Sequence, residues 1–202
     1  MTRPQTRCAW MQLVRGFVVP QLAVILFALG ATAEPIGAEE GWQDKEGHLL
    51  PDTESRKSKS GFGGLLVVSS DPDWEQKWNT PPETIPEFHT VSRVAVGETV
   101  VTLIFVVSPK PDNQGMVDVR CDLRVTRPDG STSVDEKDVE CLSGRLPEDY
   151  QHNVLLAAPY LGFVGEADDP PGEWLTDVRL TDVNRHVSLD LRTRFTLTER
   201  AD

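Results

Sequence analysis

Residues 116–126 constrain the fold more than any other stretch of this chain. Val117, Val119, Cys121, Leu123 and Val125 fall on one parity, and Asp118, Arg120, Asp122, Arg124 and Thr126 fall on the other. A period of two is that of a β-strand with one face buried and one face wet. The next residues, Arg127-Pro128-Asp129-Gly130, combine a proline that fixes φ with a glycine that tolerates a positive φ. That combination makes a turn. A strand over 134–142 then returns, with Val139 and Cys141 on its inward parity. A chain with this centre builds antiparallel sheet.

The same grammar recurs on both sides. Short strands are expected over 65–69 and 91–96, and Gly97-Glu98 turns the second into a strand over 99–107. That strand is apolar on both parities, with Val101, Leu103, Phe105 and Val107 on one and Val100, Ile104 and Val106 on the other. Both of its faces therefore need a cover. Residues 153–164 are apolar with Pro159 inside, which predicts an edge strand or two short pieces. Residues 173–181 point Trp174, Thr176, Val178 and Leu180 inward. A turn over 182–185 leads to a last strand carrying Val187, Leu189, Leu191, Thr193, Phe195 and Leu197. The proline-rich stretch 71–88 reads as a loop or edge segment. Helical periodicity does not persist beyond residue 33. The expectation is an all-β sandwich of about 7–8 strands.

The start of the chain follows different rules. Arg3, Arg7 and Arg15 precede an apolar run over 17–29, and Gly30-Ala31-Thr32-Ala33 supplies small residues. This is the pattern of a secretory signal peptide, with cleavage expected between Ala33 and Glu34. The run falls short of the ~20 residues that cross a bilayer. Cys8 lies upstream of the apolar core, so it is not a lipoprotein cysteine. Translation from Met11 would omit it altogether. Residues 34–60 are polar and are expected to be largely disordered, with Trp42, Leu49 and Leu50 as local anchors. The domain proper is expected over 61–202.

Export sets the charge and redox context. The whole chain carries a formal charge of −12; a leader with three arginines and no acid takes the remainder to −15. Such a chain is repelled by nucleic acid and by anionic membrane. After processing, Cys121 and Cys141 are the remaining cysteines. An even count in an exported chain favours a disulfide. The two lie around one turn, and closing that loop is worth ~3 kcal/mol on the chain-entropy model. Two buried thiols or half a metal site are the alternatives.

The stretch Pro171-Gly172-Glu173-Trp174-Leu175-Thr176-Asp177-Val178-Arg179-Leu180-Thr181-Asp182 is similar to the penultimate strand of secreted bacterial immunoglobulin-like domains. Phe195-Thr196-Leu197 resembles their last strand, and Val125-Thr126-Arg127-Pro128-Asp129-Gly130 resembles a hairpin common among them. The chain departs from antibody domains in placing its cysteines around one hairpin, and in carrying Trp174 where a corner tyrosine is usual. The resemblance implies an immunoglobulin-like antiparallel sandwich and a tendency to bind protein or glycan. Fold alone assigns no activity.

Signatures of catalysis are absent from the sequence. His48, His89, His152 and His186 have no partner at metal-ligand spacing, and no nucleophile elbow occurs. Acids pair at Asp71/Asp73, Asp135/Glu136/Asp138 and Asp168/Asp169, without the ordered spacing of a calcium loop. Solvated turns account for them. No cofactor and no metal is expected.

One segment stands apart. Asp73-Trp74-Glu75-Gln76-Lys77-Trp78 sets two indoles four residues apart in a polar, proline-bounded stretch. A helical turn there would place both rings on one face. They either plug the end of the sandwich or form a contact surface, with Phe88 and Tyr160 joining them. The expected function is an exported binding module without catalysis, contacting a protein or glycan of the cell envelope from the periplasm or outside the cell. No nucleic-acid partner and no stable membrane insertion after cleavage are expected. A second copy of the chain, or the N-terminal segment, is the candidate cover for the strand over 99–107. An inhibitor or immunity-type protein, a hydrolase with a spatially assembled site, and a structural envelope component are the competing expectations.

Overall fold

In the computed structural model, residues 41–43, 46–80, 86–146 and 153–199 are described. The expected leader and its expected cleavage site between Ala33 and Glu34 lie outside them, as does His152. Among the described residues ten strands form: β1 (Arg56–Lys59), β2 (Phe62–Ser69), β3 (Arg93–Ala95), β4 (Thr99–Val107), β5 (Met116–Thr126), β6 (Thr132–Arg145), β7 (Val154–Leu156), β8 (Leu161–Val164), β9 (Gly172–Asp182) and β10 (Val187–Thr198). One short helix among the described residues, α1 (Trp74–Trp78), follows β2.

The strands make two five-stranded sheets. The first runs β1-β2-β4, and both β7 and β8 pair with the far side of β4. The second runs β3-β10-β9-β5-β6. Neighbours are antiparallel except β3, which lies parallel to β10. This is a β-sandwich, and its all-β class is the one the alternation predicts. The count exceeds the expected 7–8 for two reasons. The apolar stretch containing Pro159 is two pieces on one edge of β4, opposite Thr99–Thr102 and Phe105–Val107. The other addition is β1, which lies inside the stretch 34–60 expected to be largely disordered. Its sequence Arg-Lys-Ser-Lys has no apolar alternation. It is a strand because β2 offers it an open edge, from Arg56 opposite Leu65 to Lys59 opposite Phe62.

The sandwich core lies between the facing sheets. Phe62, Leu66, Ile104 and Val106 from the first sheet meet Val119, Cys121, Leu123, Val178, Leu180, Leu189 and Leu191 from the second. At one end Val68, Val94 and Val100 pack with Trp174, Phe195 and Leu197. Trp174, where a corner tyrosine was the comparison, stacks within reach of Phe163 and Phe195, and its indole N–H donates to the Pro170 carbonyl at 3.2 Å. Gly64 permits the close approach of the sheets, because a Cβ there would lie 2.5 Å from Leu180 and 2.8 Å from Leu191.

Two devices close the molecule. Cys121 on β5 and Cys141 on β6 form a disulfide, with Cα atoms 5.8 Å apart, both buried in the core. It ties the edge strand β6 to the sheet across a register broken by bulges. At the other device, the wholly buried Asp182 carboxylate accepts the Lys110 amide at 2.8 Å, the Arg185 amide at 3.0 Å and the Arg185 Nε at 3.3 Å. Arg185 in turn donates to the carbonyls of Ser60 and Ser108. A buried charge is tolerable when it is paired and hydrogen-bonded in this way. The β9–β10 turn is thereby fastened to the start of β2 and the end of β4.

Candidate functional site

The apolar residues on both parities of β4 need two covers, and the second is an aromatic layer. Val101, Leu103 and Phe105 are buried on the face of the first sheet that points away from the sandwich core. Against them pack Leu65 and Val67 of β2, Leu156 of β7, and the rings of Trp42, Trp74, Trp78 and Phe88. The Trp78 ring centroid lies 5.4 Å from that of Phe105, and Phe88 lies 5.8 Å from it. Trp74 meets Tyr160 edge-on, with centroids 4.8 Å apart and planes at 62°. Such tilted geometries suit the ring quadrupole better than face-to-face stacking.

Local chemistry explains why the segment folds over this face. Four residues apart, Trp74 and Trp78 project from one side of a single helical turn, and that side meets the sheet. The turn is held by the Lys77 amide donating to Asp73 O and the Asn79 amide to Glu75 O, each at 3.0 Å. The Thr80 hydroxyl donates to Lys77 O at 2.9 Å, which ends it. Five residues cannot sustain a helix alone, so tertiary contact supplies its stability. The sequence gives no lasting helical period here, and the helix is a departure from the all-strand expectation beyond the leader.

Asp71 is the clasp. Its carboxylate accepts Lys77 Nζ at 2.6 Å, the His89 amide at 2.7 Å and the Ser69 hydroxyl at 3.0 Å. Burial pushes this carboxyl up, but the hydrogen bonds from Lys77, His89 and Ser69 outweigh it and hold the group below the usual carboxylate range. The same pair holds the Lys77 ammonium above its ordinary value, mainly through the Asp71 hydrogen bond. The two ends of the excursion meet where the Ser70 amide donates to His89 O and the Val91 amide to Val68 O. On the β1 side the Trp42 indole N–H donates to Lys57 O at 3.3 Å. Gly63 makes room for that indole, since a Cβ there would lie 2.9 Å from its Nε1.

The four aromatic residues singled out in the sequence are therefore brought together. They do not plug the end of the sandwich; that place is taken by Trp174, Phe163 and Phe195. Instead they roof the outer face of the first sheet. Trp74, Trp78 and Phe88 are half-buried, and Tyr160 is 48% exposed. Sequence reasoning named Trp42 only as an anchor of the N-terminal segment, one candidate cover for β4, and did not name Phe105 as a member of the layer or Asp71 as its clasp. The signal for Phe105 was present, because the double-sided β4 demanded a second cover.

Among the described residues, groups that could do chemistry do not converge elsewhere. His89 and His186 are exposed at separate places in the chain. Among the described residues no group of three or more His, Cys, Asp or Glu could hold a metal. Of the acid pairs, Asp71 is the clasp, Asp135 takes Arg124 at 2.6 Å, and Asp169 accepts the Glu166 amide at 2.9 Å. The outer face of the second sheet holds a depression of about 250 Å³ lined by Asp122, Arg124, Lys137, Asp177, Arg179 and Asp190. These side chains are engaged with each other or with their neighbours, as in Arg179–Asp190 and Arg124–Asp135.

No family model matches the chain, and no curated protein matches its sequence significantly. Among solved structures the chain is similar to a family 123 glycoside hydrolase from Clostridium perfringens, at 9% identity and a TM-score of 0.38, over 68% of this chain and 28% of that one. It is also similar to the C-terminal domain of wzt, at 14% identity and a TM-score of 0.38, over 73% of this chain and 79% of that one. A third likeness is to PapD-like domain 7 of human CEP192, at 15% identity and a TM-score of 0.23, over 61% and 92%. The chain spans little more than a quarter of the length of the glycoside hydrolase. None of these likenesses reaches a TM-score of 0.5, and none bears on what the chain binds. No helix among the described residues is long and apolar enough to cross a membrane.

Proposed function

We propose that the mature chain is an exported, non-catalytic binding module that contacts a protein or glycan of the cell envelope through its aromatic layer. The immunoglobulin-like type of the sandwich and its secretion belong to the same proposal. One observation carries it: Trp74, Trp78, Phe88 and Tyr160 assemble on one outer sheet face, and Tyr160 stays 48% exposed beside Trp74. Large rings at a surface supply contact area with little side-chain entropy to lose, which is why Trp and Tyr dominate binding hot spots. The disulfide supports export, since such bonds persist in oxidising compartments. The layer is read as a recognition surface.

The test uses the intact mature chain immobilised on a sensor. Purified envelope proteins and envelope glycans are passed over it, and the same is done for Tyr160→Ala and Trp74→Ala. The proposal expects a ligand whose affinity falls at least roughly tenfold in Tyr160→Ala, with the melting temperature nearly unchanged. A ligand that binds both variants as it binds the parent places the contact elsewhere and overturns the reading.

A further inference from the structure

We infer that the aromatic layer takes a cationic segment of a protein partner, an arginine- or lysine-bearing loop or strand laid across Trp74 and Tyr160. This rests on the reading of that layer as the contact surface. The observation behind it is the charge around the rings. Trp74 lies between exposed Asp73 and Glu75, and Phe88 follows exposed Glu87. Two cations among the described residues beside the layer, Lys77 and Arg56, are already engaged within the chain. Lys77 is bound to Asp71 at 2.6 Å. Arg56, opposite Leu65, donates from Nη2 to the Pro51 carbonyl at 2.9 Å. The border thus offers exposed carboxylates to an incoming ligand, while Lys77 is paired with Asp71.

Ring and carboxylate favour the same ligand. An aromatic face attracts a cation through its quadrupole, and more strongly for a guanidinium that can also stack. A carboxylate at the rim steers and orients that cation. Within this chain the pairing already occurs, with the Arg127 guanidinium carbon 5.8 Å from the Trp174 ring centroid. The contrast with the second sheet is informative. There the acids have basic partners directly across the strands, such as Asp177 with Arg192 and Asp190 with Arg179. Asp73, Glu75 and Glu87 beside the aromatic layer are all exposed, where an incoming cation can reach them. An acidic chain as a whole raises the encounter rate with a basic partner, but only the rim places it over the rings.

The experiment measures binding of a fluorescent peptide of alternating arginine and glycine to the intact mature protein, beside a twin with glutamine in place of arginine. The arginine peptide is expected to bind and the twin to bind at least roughly tenfold more weakly. Tyr160→Ala should weaken the arginine peptide by about tenfold, as should the combined Asp73→Asn, Glu75→Gln and Glu87→Gln variant. The same charge change on the second sheet and the chain end, Glu136→Gln with Glu140→Gln and Glu199→Gln, should leave affinity within about twofold. Melting curves establish that each variant is folded. Equal weakening by the remote set means bulk acidity alone and overturns the inference. If an uncharged oligosaccharide binds instead, and Tyr160→Ala abolishes that binding, the cationic partner is wrong and the contact-surface reading stands. If Tyr160→Ala leaves every ligand untouched, both fail.

Discussion

The two outer faces of the sandwich solve the same problem in opposite ways. The outer face of the second sheet is a lattice of cross-strand ion pairs. Arg124 on β5 faces Asp135 on β6, Arg179 on β9 faces Asp190 on β10, and Asp177 faces Arg192. Thr181 and Ser188, also directly opposite, share a hydroxyl hydrogen bond at 2.9 Å. That face is finished with water as its solvent. The outer face of the first sheet is apolar down β4 and is finished with protein, by α1 and the rings around Phe105. A wet face needs only side-chain alternation. A roofed face needs a segment to be fastened down, and Asp71 does the fastening. The roof then presents its own outer surface, where Asp73, Glu75, Gln76 and Glu87 are exposed and Tyr160 stands exposed against Trp74.

The comparison is broken most sharply at Phe105, which is 4% exposed although it points away from the sandwich core. Phe105→Ala should cost about 3–5 kcal/mol, as a core phenylalanine does. Denaturant unfolding checks this, and a loss below about 1 kcal/mol would mean that the outer layer is not packed. Reducing the disulfide, or replacing Cys121 and Cys141 by alanine, should cost about 3 kcal/mol by freeing the loop in the unfolded chain. Removing the clasp with Asp71→Ala should cost about 1–3 kcal/mol, because the His89 amide and Ser69 hydroxyl lose a largely buried partner. The smallest effect belongs to the wet face. Arg179→Ala should cost under about 1 kcal/mol, since its pair with Asp190 is exposed.

The clasp also predicts a pH dependence. The Asp71 carboxyl is lowered from the ordinary 3.8, so its contribution is complete above that value and is lost as pH falls through the lower, folded-state value. Tryptophan fluorescence should therefore report loosening of α1 in strong acid, ahead of global unfolding. Asp71→Asn should remove that acid-dependent step. A fluorescence titration with the same step in both proteins would contradict the assignment.

Much of this was legible before any coordinates. The strands over 99–107 and 116–126 fall where the alternation and the Gly97-Glu98 and Pro128-Asp129-Gly130 turns put them. The β9–β10 hairpin differs by a residue or so at its ends. Its clear period reflects one buried face and one wet face, which is information each residue carries locally. β1 was illegible because its strand character belongs to the edge of β2 and not to Arg56, Lys57, Ser58 and Lys59. The helix was legible only as a conditional turn bringing Trp74 and Trp78 to one face, since five residues gain their conformation from Phe105 and Asp71. The double apolarity of β4 announced that a cover exists, but the identity of that cover depends on long-range contacts. Trp42, Trp78 and Phe88 come from three separate segments to supply it. The same holds for the site: four rings could be named from their types, while their common surface is a product of topology.

The most direct measurement is hydroxyl-radical footprinting of side chains, aromatic and charged, free and with a bound ligand. In the free chain Trp74 and Tyr160 should be modified readily, and Trp174, 2% exposed in the core, should stay protected. On binding, Trp74 and Tyr160 should become protected while residues of the ion-pair lattice keep their free-state reactivity. Protection confined to the second sheet, with Trp74 and Tyr160 still reactive in the complex, would contradict the account.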